Sequence, residues 1–192
     1  MGGTAAELAY DILLEDDGNR LLLEPAQNFH GGSLDAPYEM ISHKDALLGL
    51  GDGGAHYGLI CDASWPTTML SYWTRDRTRG PRLELAETVR MMTSRNADAF
   101  GFRDRGRIAA GYKADLNLID YDRLQLHVPD VIYDLPSGGR RIVQRASGYV
   151  ATIVSGAVTY RDGHATEALP GRLVRGPRSV PEPRLKRLRV AA

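Results

Sequence analysis

The chain has 192 residues, with 24 basic against 24 acidic side chains and a single cysteine, Cys61. That length allows one domain with a true core, or one domain plus a small appendage. The balanced charge gives no reason to expect nucleic acid as a partner, the lone cysteine excludes an internal disulfide, and no apolar run reaches membrane length. A reducing compartment fits this usage, and the cytoplasm is the expected location. The charge is unevenly spread. Residues 1–56 hold ten acids and two bases, while residues 172–192 hold seven bases against Glu182 alone. Two such regions attract each other or contact different things.

Thr4 to Glu15 reads as a helix, with Thr4 and Glu7 spaced for a capping box and Leu8, Asp11 and Ile12 at helical spacing. Asp16-Asp17-Gly18-Asn19 ends it. Arg20 to Glu24 carries Leu21, Leu22 and Leu23, a run short enough for a buried strand, and Pro25 closes it. His30-Gly31-Gly32 reads as a loop. Ser33 to Ser42 reads as a second helix, with Ser33 as its cap and Pro37 near its start. Ala46 to Asp52 is the next expected strand, an apolar run that stops at an acid flanked by glycines. The order helix, strand, helix, strand predicts an α/β fold with a parallel sheet. Two strands do not make such a sheet, so the expectation is that other chains supply strands or that the beginning of this chain is missing.

Tyr57 to Pro66 reads as a loop containing Cys61 and Trp65. Residues 67–76 read as a helix with Met69, Leu70 and Trp73 inward, Trp73 being either a pocket wall or, in preference, core. Glu84 to Phe100 reads as a long helical stretch broken near Ser94. Leu85, Val89 and Met92 share its period, and Met91-Met92 is core filler. From Gly101 on, glycines punctuate short β-branched runs. Asp115 to Asp120, Tyr149 to Ser155 and Ala157 to Tyr160 predict an antiparallel β module, with a turn at Ser155-Gly156. The expected organisation is residues 1–103, a β module over 104–172, and a basic Arg/Pro-rich tail over 173–192. The tail reads as solvated, with a basic arm docked on an acidic surface as the alternative.

Asp52 is the residue around which chemistry would gather. Gly51, Gly53 and Gly54 remove side-chain bulk, so backbone or ligand can approach the carboxylate. Asp-Gly-Gly is also ordinary turn chemistry, and spacing alone leaves both readings open. Of the five histidines, His30, His43 and His56 fall in the same part of the chain. His56, just past the strand end, is placed best to orient a substrate. His43 precedes the strand at the end where catalysis does not occur in such sheets. His127 and His164 read as structural. No two histidines have the spacing that puts two metal ligands on one element, and no G-x-S-x-G elbow, phosphate loop or dinucleotide fingerprint is present. Cys61 with one nearby histidine is a weak nucleophile signal.

Three stretches in order resemble the C-terminal part of the N-acyl-D-amino-acid deacylase (D-aminoacylase) family of the amidohydrolase superfamily. They are Leu48 to His56 (LGLGDGGAH), Thr93 to Leu116 (TSRNADAFGFRDRGRIAAGYKADL), and Ile153 to Arg175, with VSGAVTYRDG and ALPGRLVR. The resemblance implies the last two strands and helices of a metal-dependent (β/α)8 barrel over residues 1–103, followed by a small antiparallel β-sandwich. It implies zinc (Zn2+) as cofactor and an N-acyl amino acid as the small-molecule partner. Asp52 would be the general base and then the general acid, and also a possible metal ligand. The family's other metal ligands have no counterpart in this sequence. A catalytic zinc takes three protein ligands, so the implied chain does not hydrolyse amides alone. A cyclic amide is the sister reading for the substrate. A partial barrel bound to a partner without catalysis is the rival reading, and a homo-oligomer is also open.

Overall fold

The computed structural model describes residues 3–25, 27–49 and 51–181. The last part of the expected basic tail, 182–192, lies outside the described residues.

Helix α1 (Ala5–Gly18) starts as its sequence dictates. The Glu7 N–H donates to Thr4 Oγ1 at 3.3 Å, and the Glu7 carboxylate accepts the Thr4 N–H at 2.7 Å. Its end is kinked, with Asp16 and Asp17 at φ of 55° and 53°. None of its side chains is buried. Helix α2 (Asp35–Ser42) begins two residues past Ser33, whose Oγ accepts the Asp35 N–H at 3.1 Å.

Helix α3 (Trp65–Ser71) opens on Trp65-Pro66 and runs into a wider π turn over Tyr72–Asp76, closed by the Arg77 N–H donating to the Tyr72 carbonyl at 2.8 Å. Helices α4 (Leu85–Met92) and α5 (Ser94–Ala99) are separated at Thr93, the expected break. Their buried face corrects the sequence reading. Thr88, Met91 and Ala97 face inward, while Leu85 and Val89 are 38% and 43% exposed.

The core is Met69, Trp73 and Leu83, flanked by Tyr38 and Ile41 of α2, by Leu48, Trp65 and Tyr72, and by Met92 of α4. Trp73 is core, as preferred over the pocket wall. Beside it lies Arg77, 1% exposed, its guanidinium 4.7 Å from the Trp73 ring and 5.2 Å from the Tyr38 ring. That cation is satisfied, donating to Asp35 at 2.7 Å, to the Arg79 carbonyl at 2.6 Å and to the Pro81 carbonyl at 3.0 Å. It ties α2 to the end of α3.

The two expected barrel strands do not form ladders among the described residues. Leu21, Leu22 and Leu23 are 39%, 49% and 92% exposed, and Leu47 is 48% exposed. A strand inside a parallel sheet needs a neighbour on each side to take up its N–H and C=O groups, and the described residues present none. Leu48 is held instead by the helical part, its carbonyl accepting from Asn96 Nδ2 at 2.6 Å while its side chain packs on the core.

The rest is antiparallel: β1 (Leu116–Ile119), β2 (Gln125–Leu126), β3 (Asp130–Leu135), β4 (Gly139–Val143), β5 (Ala146–Ser147), β6 (Tyr149–Val154), β7 (Ala157–Arg161) and β8 (His164–Ala165). They form a sheet ordered β1-β6-β7-β8 and two ribbons, β2-β5 and β3-β4. Ser155 and Gly156, both at positive φ, make the tight β6–β7 turn. The strands pack against the helical part through Thr67 Oγ1 and Tyr149 Oη at 2.8 Å, and through Arg75 donating to the Leu124 carbonyl at 2.6 Å. No helix among the described residues is long and apolar enough to cross a membrane.

Candidate active site

Asp52 opens a sharp turn outside any helix or strand, its carbonyl accepting the Ala55 N–H at 3.0 Å. The glycines beside it are required by close approach. A Cβ on Gly51 would lie 2.5 Å from the Asp62 carbonyl oxygen and 2.8 Å from the Trp65 ring, and one on Gly53 would lie 2.6 Å from Ala63 Cβ. The backbone on both sides of Asp52 is therefore pressed against residues 62–65, where α3 begins. The Asp52 side chain is exposed, and its carboxylate makes no hydrogen bond or ion pair among the described residues. The arrangement fixes the main chain and leaves the acid free to act on something outside it.

His56 follows at φ 49°, and its carbonyl accepts the Leu59 and Ile60 N–H groups at 2.7 and 3.0 Å. This backbone role shapes the loop, and the ring is exposed. His30 lies in a short turn (His30–Gly32), and His43 ends α2, where its Nδ1 accepts the Asp45 N–H at 3.2 Å. His127 donates its backbone N–H to the Arg145 carbonyl, and His164 Nδ1 lies 2.9 Å from the Asp162 carbonyl. Cys61 is half-buried and free, and burial together with Asp62 pushes its thiol pKa up. That favours the thiol over the nucleophilic thiolate.

A cleft of about 500 Å³ opens beside the Asp52 loop, walled on one side by Gly53, Gly54 and Tyr57 and on the other by the β3–β4 hairpin. The two walls are joined. The Ile142 N–H donates to the Tyr57 carbonyl at 2.8 Å, and Ser64 Oγ donates to Gln144 Oε1 at 2.5 Å. Arg141, in the middle of β4, forms a two-pronged ion pair with Asp134 at 2.7 and 2.6 Å, which holds the Asp134 carboxyl below the usual range. Sequence reasoning missed these hairpin residues. Gly138-Gly139 followed by Arg140-Arg141-Ile142-Val143-Gln144 signals a hairpin, but nothing local says which loop it meets.

Among the described residues, no three His, Cys, Asp or Glu side chains come together. A catalytic zinc takes three protein ligands, so this donor set does not fit one, and Asp52 has no co-ligands here.

An adenine deaminase of Desulfatibacillum aliphaticivorans is 43% identical over 60 residues, a match that takes in 31% of this chain and 10% of that protein. The matched stretch is thus a small part of the relative's length. No solved structure matches the chain. A profile described as the Amidohydrolase family matches residues 12–160, most of the chain, and the chain belongs to that family.

Proposed function

We propose that this chain supplies the proton-transferring carboxylate, Asp52, of an amidohydrolase that cleaves a linear amide, an N-acyl-D-amino acid, into a carboxylate and a D-amino acid. The observation that supports it most is the exposed Asp52 carboxylate, without a partner among the described residues, on backbone held by Gly51 and Gly53 against residues 62–65. A carboxylate so placed can take a proton from an attacking water and hand it to the departing amine, provided both come within hydrogen-bond reach. His56, exposed on the same loop, is the candidate to orient the substrate.

The superfamily is typically metal-dependent. The resemblance makes that metal zinc, which would polarise the scissile carbonyl. Its donors would lie outside the described residues. The chain's own contribution is therefore the proton relay and the neighbouring cleft. A second reading, removal of an amino group from a purine-like ring, draws on the partial match to an adenine deaminase. Both readings cut a carbon–nitrogen bond and need the same proton relay.

The test is to assay the chain with zinc, alone and together with the N-terminal part of a barrel from the same family, against N-acetyl-D-methionine and adenine. The expected outcome is no turnover by the chain alone and release of D-methionine by the combination. Asp52→Asn should lower kcat by about 10²–10⁴-fold with little change in KM. Ammonia released from adenine would select the second reading. Turnover indifferent to Asp52→Asn would remove Asp52 from the chemistry.

A further inference from the structure

We propose that the cleft between the Asp52 loop and the β3–β4 hairpin binds an apolar monocarboxylate of several carbons. This rests on the reading above that Asp52 marks the reacting end of the site. The lining carries the inference. Tyr57 and Ile60 on one side and Leu135, Ile142 and Val143 on the other present apolar surface, and Arg141 is the one charged residue among those lining it. No acid lines the cleft among the described residues. A cleft with apolar walls and a single cation favours a ligand with an apolar body and one negative charge, and disfavours a cationic one.

Arg141 has donors to spare. Its Nε and one terminal nitrogen bind Asp134, whereas the remaining terminal nitrogen donates to nothing among the described residues. Asp134 thus holds the guanidinium in place without using all of its fork. The walls do not depend on a ligand for their position, because the Ile142 N–H to Tyr57 bond and the Ser64 to Gln144 bond already join them. At about 500 Å³ the cleft is of small-molecule size. Acetate would leave most of the apolar wall wet, and a longer acyl chain would cover it. In the proposed reaction the occupant is the carboxylate that the acyl group becomes on cleavage.

The experiment is a ¹H–¹⁵N NMR titration of the full 192-residue chain with sodium octanoate, sodium acetate and octylammonium chloride. Octanoate should bind saturably, with the largest shifts at Tyr57, Ile60 and Ile142, and at least about tenfold more tightly than acetate or octylammonium. Arg141→Gln should weaken octanoate about tenfold. Asp134→Asn, an exposed change that removes the competing negative charge and keeps one oxygen to accept from Arg141, should tighten it, which gives a test of opposite sign. Equal binding of acetate or octylammonium overturns the proposal. So do shifts centred elsewhere, no saturable binding, or no response to either variant. Octanoate binding without Asp52-dependent turnover would sink the catalytic reading and keep the cleft. Asp52-dependent turnover without octanoate binding would do the reverse.

Discussion

The segment around Trp73 and the limb that precedes it both read, in sequence, as apolar faces waiting to be buried. In the structure they differ. From α3 to α5 the chain closes on itself, and Met69, Trp73, Leu83 and Met91 are all under 9% exposed. In the limb, Leu8, Leu14, Leu22 and Leu23 stand from 49% to 92% exposed, and the two strand-like stretches have no ladder among the described residues. Helical hydrogen bonds are made within a segment, so a helix needs a neighbour only for its side chains. A strand needs one for its backbone as well. The difference between the two regions is the difference between self-sufficient and dependent elements, more than one of apolar content.

Arg77 makes the sharpest test of the closed region. Arg77→Ala removes the hydrogen bonds to Asp35 and to two carbonyls, and empties the space against the Tyr38 and Trp73 rings. The expected cost is about 3 kcal/mol, read by chemical denaturation. A loss well below 1 kcal/mol would mean that apolar packing alone holds α2 to α3.

A smaller effect is expected where the helical part meets β1. There Arg105 donates to Asp104 at 2.9 Å, with Asp115 3.8 Å away. The Arg105 hydrogen bond holds the Asp104 carboxyl below the ordinary carboxylate range. A folded-state pKa below the unfolded one gives stability that is present above the unfolded value, about 3.9, and is lost as pH falls through the folded value. Asp104→Asn should therefore cost about 1 kcal/mol at neutral pH, with the gap to the parent closing as the pH drops below about 3.9. A gap constant from neutral to strongly acidic pH would rule out this source.

The smallest effect belongs to the open limb. Leu8 is 61% exposed, so Leu8→Glu should move stability by no more than about 0.5 kcal/mol. A loss above 1 kcal/mol would show that α1 is packed in solution and would erase the contrast between the two regions.

Much of the local structure was legible. The Thr4–Glu7 cap, the break at Thr93 and the turn at Ser155-Gly156 depend on neighbours in sequence, and the residue types announce them. The buried face of α4 was misread for a definite reason. Leu85, Val89 and Met92 score as the apolar stripe, but the helix buries Thr88, whose hydroxyl is satisfied by the Glu84 carbonyl at 3.0 Å. Arg77 was overlooked because a lone arginine reads as solvated, and only the fold supplies its three acceptors and two rings. Asp52 stood out through its glycines, and the structure shows what those glycines permit. The hairpin that walls the cleft stayed hidden because Ile142 and Tyr57 lie far apart in sequence and nothing near either announces the other.

The bond from the Ile142 N–H to the Tyr57 carbonyl has a consequence for how such proteins diversify. It makes the C-terminal strands part of the wall next to the acid, although the two are encoded far apart. A recombination event that exchanges the strands after Leu116 between relatives replaces that wall in one step and leaves Asp52 in place. If the cleft binds ligand as proposed, new ligand preferences can thus be inherited as a cassette, with Asp52 kept on the other side of the crossover.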